Sequence, residues 1–234
     1  MIVRAMGVDA AGRHGWVGVV IDADGFLSAH VAADLEGLIA LGDGAGATPL
    51  ARVGVDIPIG LVDGPRRSAD VAARAFVGPR GSSVFPAPPR RARHHESQAA
   101  ANAQLAAEGM PMLSAQAAAL LGRIREAAEV AMVDARLREV FPEASFRQMA
   151  GAGLAQPKRT AAGALHRLEL LAATDPSILL PNDLGAAGAV PLDDLFDAAA
   201  AAWSSLRCAF DRAIALGHPE EVDLDTGRRI AVWV

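Results

Sequence analysis

The sequence predicts an α/β fold, a mixed sheet of three antiparallel strands followed by parallel strands, with helices on both faces. Three observations predict it. The first third of the chain holds β-branched, apolar runs divided by glycine-bounded turns. A short helical pattern then precedes one more apolar run. Alanine-rich helical patterns fill most of the remainder, before a last β-branched run at the C-terminus.

Taken in order, Ile2–Val8 and Trp16–Ile21 read as strands joined through "DAAGRHG", and "DADG" (Asp22–Gly25) is a hairpin signal leading into a third strand, Phe26–Ala32. Asp34 has the position of an N-cap for the helix "LEGLIALG", which ends at Gly42. After the glycine-rich stretch 42–48, Arg52–Ile57 returns to strand. A β-β-β-α-β order implies a crossover that sets the fourth strand parallel to the first. Helices are expected over "RSADVAARAFVG", "ESQAAANAQLAAEG", "SAQAAALLGRIREAAEVA" and "KRTAAGALHRLELLAA", and from about Asp193 to Leu216. "ARLREVFPEASF" reads as a strand cut short by Pro142, and "RRIAVWV" as the final strand. The segment "GPRGSSVFPAPPRRARHH" is a long Pro-, Gly- and Arg-rich loop.

Length and composition bound the answer. The 234 residues suit a single domain, 1–234, with a largely helical insertion at about 66–133. Hydrophobic residues at 52% against 21% charged are a globular rather than a disordered composition. One cysteine, Cys208, rules out an intramolecular disulfide and a multi-cysteine zinc site. No run approaches the ~18 apolar residues of a membrane span. Arg4, Asp9 and Arg13 interrupt the apolar N-terminus too early for a signal peptide, so a cytoplasmic protein is expected. A net charge of −5 denies the chain a global basic field for nucleic acid.

Two apolar strand patterns each carry one aspartate, Asp9 in "MGVDAAG" and Asp56 in "VGVDIPIGL". A buried carboxylate shifts its pKa, pairs, or binds a cation. The alternative is that both are strand-end turn formers. The predicted element order is the ribonuclease H-like plan. Its chemistry needs carboxylates on the first and fourth strands and others on a neighbouring strand or the last helix, holding one or two hard divalent ions. Glu143 in "EVFPE" and Asp194 and Asp197 in "DDLFDA" supply the others; Asp194 and Asp197, three apart, share a helix face. Acids in the first turns of a helix are also favoured by its macrodipole, and Glu143 has a plain solvated reading.

Eight blocks, including "MGVDAAGRHGWVGVVID", "VGVDIPIGL", "RRSADVAARAFVGPRGSSVFPAP", "EVFPEASF", "PKRTAAGALHRLELL" and "GRRIAVWV", occur in an order that resembles domain-of-unknown-function family 429, described as predicted ribonuclease H-like nucleases. The resemblance runs from about residue 2 to 233. It implies that fold and a metal-dependent nuclease activity, with Mg²⁺ or Mn²⁺ as cofactor and nucleic acid as partner. By motif, Asp9, Asp56, Glu139, Glu143 and Asp197 fall on the family's acidic positions, with Asp194 one turn before Asp197. These six form the implied metal set. Phe141 stands where the family usually has histidine, and Ser68 where cysteine is common.

Basic residues add two candidates. Seven arginines lie between Arg66 and Glu96 against two acids. Arg67, Arg74, Arg80, Arg90, Arg91 and Arg93 are read as a phosphate-contacting rim, or as a solvated loop in an arginine-biased chain. Its aromatic residues are Phe76 and Phe85, too few for a stacking platform. Lys158 is the chain's one lysine against 21 arginines. It is read as a catalytic ammonium beside Asp9, Asp56, Glu143 and Asp197, with chance retention as the alternative. Two further function classes stay open: phosphoryl transfer on a nucleotide, as in actin-like ATPases, and a non-catalytic binding protein that keeps the fold.

Overall fold

A computed structural model describes residues 2–84 and 86–234 of the chain; Phe85 lies outside the described residues. Seven strands form one sheet: β1 (Arg4–Ala10), β2 (Trp16–Asp22), β3 (Gly25–Ala32), β4 (Leu50–Val55), β5 (Leu137–Val140), β6 (Ala215–Leu216) and β7 (Val232–Trp233), in the order β3-β2-β1-β4-β5-β7-β6. The β1–β2–β3 meander is antiparallel, and β4, β5 and β7 run parallel to β1. The mixed α/β sheet expected from the sequence is therefore present. Between β3 and β4 lies α1 (Leu35–Gly44), capped by Asp34 Oδ1, which accepts from Gly37 N at 2.7 Å. The connection from β4 to β5 carries α2 (Ser68–Val77), α3 (Gln98–Ala107), α4 (Ala115–Ala119) and α5 (Leu121–Val133). After β5 come α6 (Pro142–Ala150), α7 (Ala161–Ala173) and α8 (Leu192–Ala209).

The period of two along β1 sorts its side chains between two cores. Met6 and Val8 join Val53, Val55, Leu38 and Ile124 under α1 and α5. Ala5 joins Val17, Val19 and the alanines of α8 on the opposite face. Gly7 and Asp9 share that second face, as do Gly54 and Asp56 beyond β4. At Gly7 a methyl group would overlap the α8 backbone at Ala198 and Ala202; at Gly54 it would strike Ser205 and Val140. Glycine on two neighbouring strands lets the helix lie directly on the sheet.

Three boundaries differ from expectation for identifiable reasons. The strand in "EVFPE" ends at Val140, and Pro142 opens a helix rather than closing a strand. Proline suits the first helical position, where its missing N–H would have no partner anyway. The last helix stops at Ala209 instead of reaching Leu216. Asp211 takes φ 53°, turning the chain so that Ile214 and Val234 exchange backbone hydrogen bonds of 2.8 and 3.0 Å. The pattern "SAQAAALLGRIREAAEVA" is two helices, α4 and α5, meeting at Leu120. Among the described residues no helix is long and apolar enough to cross a membrane.

Candidate active site

Register brings the two strand aspartates together. Val8 pairs with Val55 across the parallel β1–β4 ladder, and Asp56 N donates to Val8 O at 3.0 Å. Asp9 and Asp56 thus sit at the C-terminal ends of adjacent parallel strands, where open α/β sheets place their ligands. Both belong to the tripeptide Gly-Val-Asp, at 7–9 and 54–56. In each copy the glycine admits α8, and the aspartate two residues on faces the first turns of that helix. The third carboxylate comes from there: Asp197 is 4% exposed and Asp9 7%.

Lys158, in the segment before α7, lines the cavity above these strand ends and forms an ion pair with Asp197. Its ammonium also stands 3.9 Å from Asp193. Burial alone would lower the Lys158 pKa, but Asp197, Asp9 and Asp56 around it raise it instead. The aspartates show the opposite strain. Burial, then the charge of Asp197, pushes Asp56 up to about 8, with Lys158 opposing. Burial raises Asp9 well above the usual carboxylate range, reinforced by Asp56 and Asp197. Asp197 is pushed up to about 6 by burial, with Lys158 holding it down. Asp194, at the cavity's edge, is raised by burial and by Asp193. Three mutually repelling carboxyls share one lysine, so the site is short of positive charge.

Oxygen-only donors with a deficit of positive charge have the chemistry of a hard divalent-ion site. In the conformation seen, however, no three Asp, Glu, His or Cys side chains among the described residues converge on one ion position. Asp9 Oδ1 accepts from Ala10 N at 2.7 Å, and Asp197 is engaged by Lys158. A cation would have to displace that ammonium or settle beside it.

The two glutamates of "EVFPE" are each held by an arginine, and only Glu139 lines the cavity. Glu139 Oε1 and Oε2 each accept from Arg67 at 2.7 Å, and Oε2 also accepts from Ile59 N at 2.7 Å. Burial raises Glu139, with Arg67 offsetting it. Glu143, in the first turn of α6, is bonded to Arg167 Nη2 at 2.6 Å and does not line the cavity. It approaches the aspartates only through its charge, as a neighbour of Asp197.

The arginine rim is not assembled as the sequence suggests. Arg67 is 2% exposed, and pairs with both Glu139 and Asp70. Arg90 and Arg93 both bind Asp225. Arg91 reaches Glu108 at 2.9 Å and Asp63 at 3.7 Å. Arg80 donates to the carbonyls of Leu154 and Ala155, and Arg74 is exposed on α2. Two of these acidic partners, Glu139 and Asp225, lie far away in sequence, beyond the reach of a local charge count.

Sequence reasoning passed over Gly7 and Gly54. Their signal was present, in the repeated Gly-Val-Asp at the ends of two apolar runs. It also set Arg67 and Glu139 in separate roles, although they are one buried pair spanning 72 positions.

Comparison with curated proteins finds no match, and neither does comparison with solved structures. A family model described as "Protein of unknown function (DUF429)" matches residues 7–221, and the chain belongs to that family.

Proposed function

We propose that the chain is a divalent-metal-dependent phosphodiesterase of the nuclease type. The observation that carries this reading is the trio Asp9, Asp56 and Asp197, delivered from three elements to one place with a single lysine against them. These three, with Asp194 at the edge, would hold the ion. Glu139 and Glu143, each in an arginine's grip, are left out of the set. When bound, Mg²⁺ or Mn²⁺ supplies positive charge at a phosphoryl group and a nucleophile from water at neutral pH. Lys158 would release Asp197 to the ion and turn its ammonium toward a phosphoryl oxygen.

The nucleotide-transferase alternative gains no specific support. The N–H groups of Ala11, His14 and Gly15, in the turn after β1, donate to carbonyls of that same turn instead of cradling a phosphate. The test is calorimetric titration with Mn²⁺, followed by assay of the loaded protein on single- and double-stranded RNA and DNA. Mn²⁺ should bind wild type and bind Asp56→Asn more weakly. A metal-replete protein that cleaves nothing in the panel would end this reading.

A further inference from the structure

The cavity above the strand ends, about 410 Å³, has a mixed lining. Its charged members are Asp9, Asp56, Lys158, Arg159 and Asp194, with the Arg67, Asp70 and Glu139 cluster. Its apolar members include Val84 and Phe141, which share one hydrophobic cluster, Leu120, which packs against another, and Ala119. These residues come from three separate segments: the loop after α2, the α4–α5 junction, and the residue between β5 and α6. Two of the three segments belong to the long β4–β5 connection, which thus contributes to the cavity above the strand ends. Sites for single small molecules span roughly 300–1,000 Å³ and pair apolar walls with a few polar groups. Duplex nucleic acid is instead held on about 1,000–2,500 Å² of strongly basic protein surface. Four arginines that would contribute to such a surface are paired internally, Arg67 with Glu139 and Asp70, Arg90 and Arg93 with Asp225, and Arg91 with Glu108, while Arg74 on α2 and Arg159 at the cavity stay exposed.

From the size of the cavity and its mixed lining we infer that it accepts one nucleotide at a time, either free or as the end of a single strand. The base lies against Phe141 and its apolar neighbours, and the phosphate lies toward Lys158. Phe141 suits this role, since an aromatic face stacks on any base. The inference takes the phosphodiesterase reading as its basis for a phosphorylated substrate; the size and polarity of the pocket stand apart from it.

Calorimetry on the full chain with Mn²⁺ present tests this, using a nucleoside 5′-monophosphate, ribose 5-phosphate, inorganic phosphate and a blunt DNA duplex. The monophosphate should bind at least about tenfold tighter than ribose 5-phosphate or phosphate, and the duplex should not compete with it. Ala119 is exposed, so Ala119→Trp narrows the pocket without opening the core. It should weaken the monophosphate by about tenfold or more and leave inorganic phosphate unchanged. Phe141→Ala should act in the same direction. Equal binding of ribose 5-phosphate, effective competition by the duplex, or indifference to both substitutions would overturn the inference. A linear single strand that competes where its covalently closed circle does not would assign strand ends; a circle that competes equally would overturn it. Binding in the expected pattern without any cleavage would sink the hydrolytic reading and leave this one standing. Cleavage within circles or duplexes would do the reverse.

Discussion

Two buried charge clusters border the same cavity, and they are built on opposite principles. In the first, Arg67 meets Asp70 and Glu139, and one oxygen of each carboxylate also accepts a backbone N–H, Glu139 Oε2 from Ile59 and Asp70 Oδ2 from Ala87. Arg67 also donates to Gly60 O at 3.0 Å, so the cluster ties α2, β5 and the segment after Asp56 into one unit. In the second, Asp9, Asp56 and Asp197 repel one another around Lys158. A closed network of this kind fixes geometry. An open one costs stability and is retained where charge must be ready for something that arrives. The contrast separates residues that hold the site from residues that act in it, a division the acidic residue types alone do not reveal.

The largest effect should come from breaking the closed cluster. Arg67→Ala leaves Asp70 and Glu139 buried without their cation, a change that costs about 3–5 kcal/mol. For a chain of this length the melting temperature should drop by roughly 2–4 °C per kcal/mol. Urea unfolding measures it, and a loss under ~1 kcal/mol would erase the distinction between the clusters.

The open cluster should respond with the opposite sign. A carboxyl raised in the folded state destabilises the protein increasingly as pH climbs from the unfolded value toward the folded one. For Asp56 that window runs from about 4 to about 8. Metal-free Asp56→Asn should therefore be more stable than wild type at pH 8, by an amount on the order of 1–3 kcal/mol, and nearly equal to it at pH 4. Saturating Mn²⁺ should reverse the order, since an ion at a hundred times its Kd stabilises the folded state by about 2.7 kcal/mol. Stabilisation that persists in Mn²⁺ would instead favour a binding protein with no metal role.

A smaller change is expected at Lys158. Lys158→Met removes the cation that competes for Asp197, so Mn²⁺ should bind up to about tenfold tighter by calorimetry, equivalent to ~1.4 kcal/mol. Weaker binding would mean that the lysine belongs to the ion's surroundings rather than to its place. The smallest effect is the control: Asp34→Ala, which removes the α1 cap, should cost about 1 kcal/mol. Its loss should be the same at pH 6 and pH 8, with or without Mn²⁺.

Much of this was legible in the residues. Alternating apolar runs with glycine turns gave the meander, and an aspartate at the end of each of two such runs gave half of the site. Asp197 was readable as the last-helix acid that the ribonuclease H-like plan and the family resemblance imply, and Lys158 as the one ammonium in a chain of guanidiniums. Partnerships were not legible. Whether Glu139 serves an ion or Arg67 depends on a contact across 72 residues, which local pattern does not encode. Glu143 was misplaced because a proline at a helix start and a proline at a strand end look alike until the following turn is seen. The arginine loop looked basic because Asp225, which answers two of its charges, lies more than 130 positions away.

The contact of α8 with the sheet has a consequence for how far either strand can vary. A methyl group at Gly7 would lie 1.9 Å from Ala202 N and 2.2 Å from Ala198 O, both of them main-chain atoms with no side chain to swing aside. The seam between β1 and α8 is therefore backbone against backbone, and it has no slack: any residue larger than glycine at position 7 has to lift the whole helix, together with the aspartate it carries.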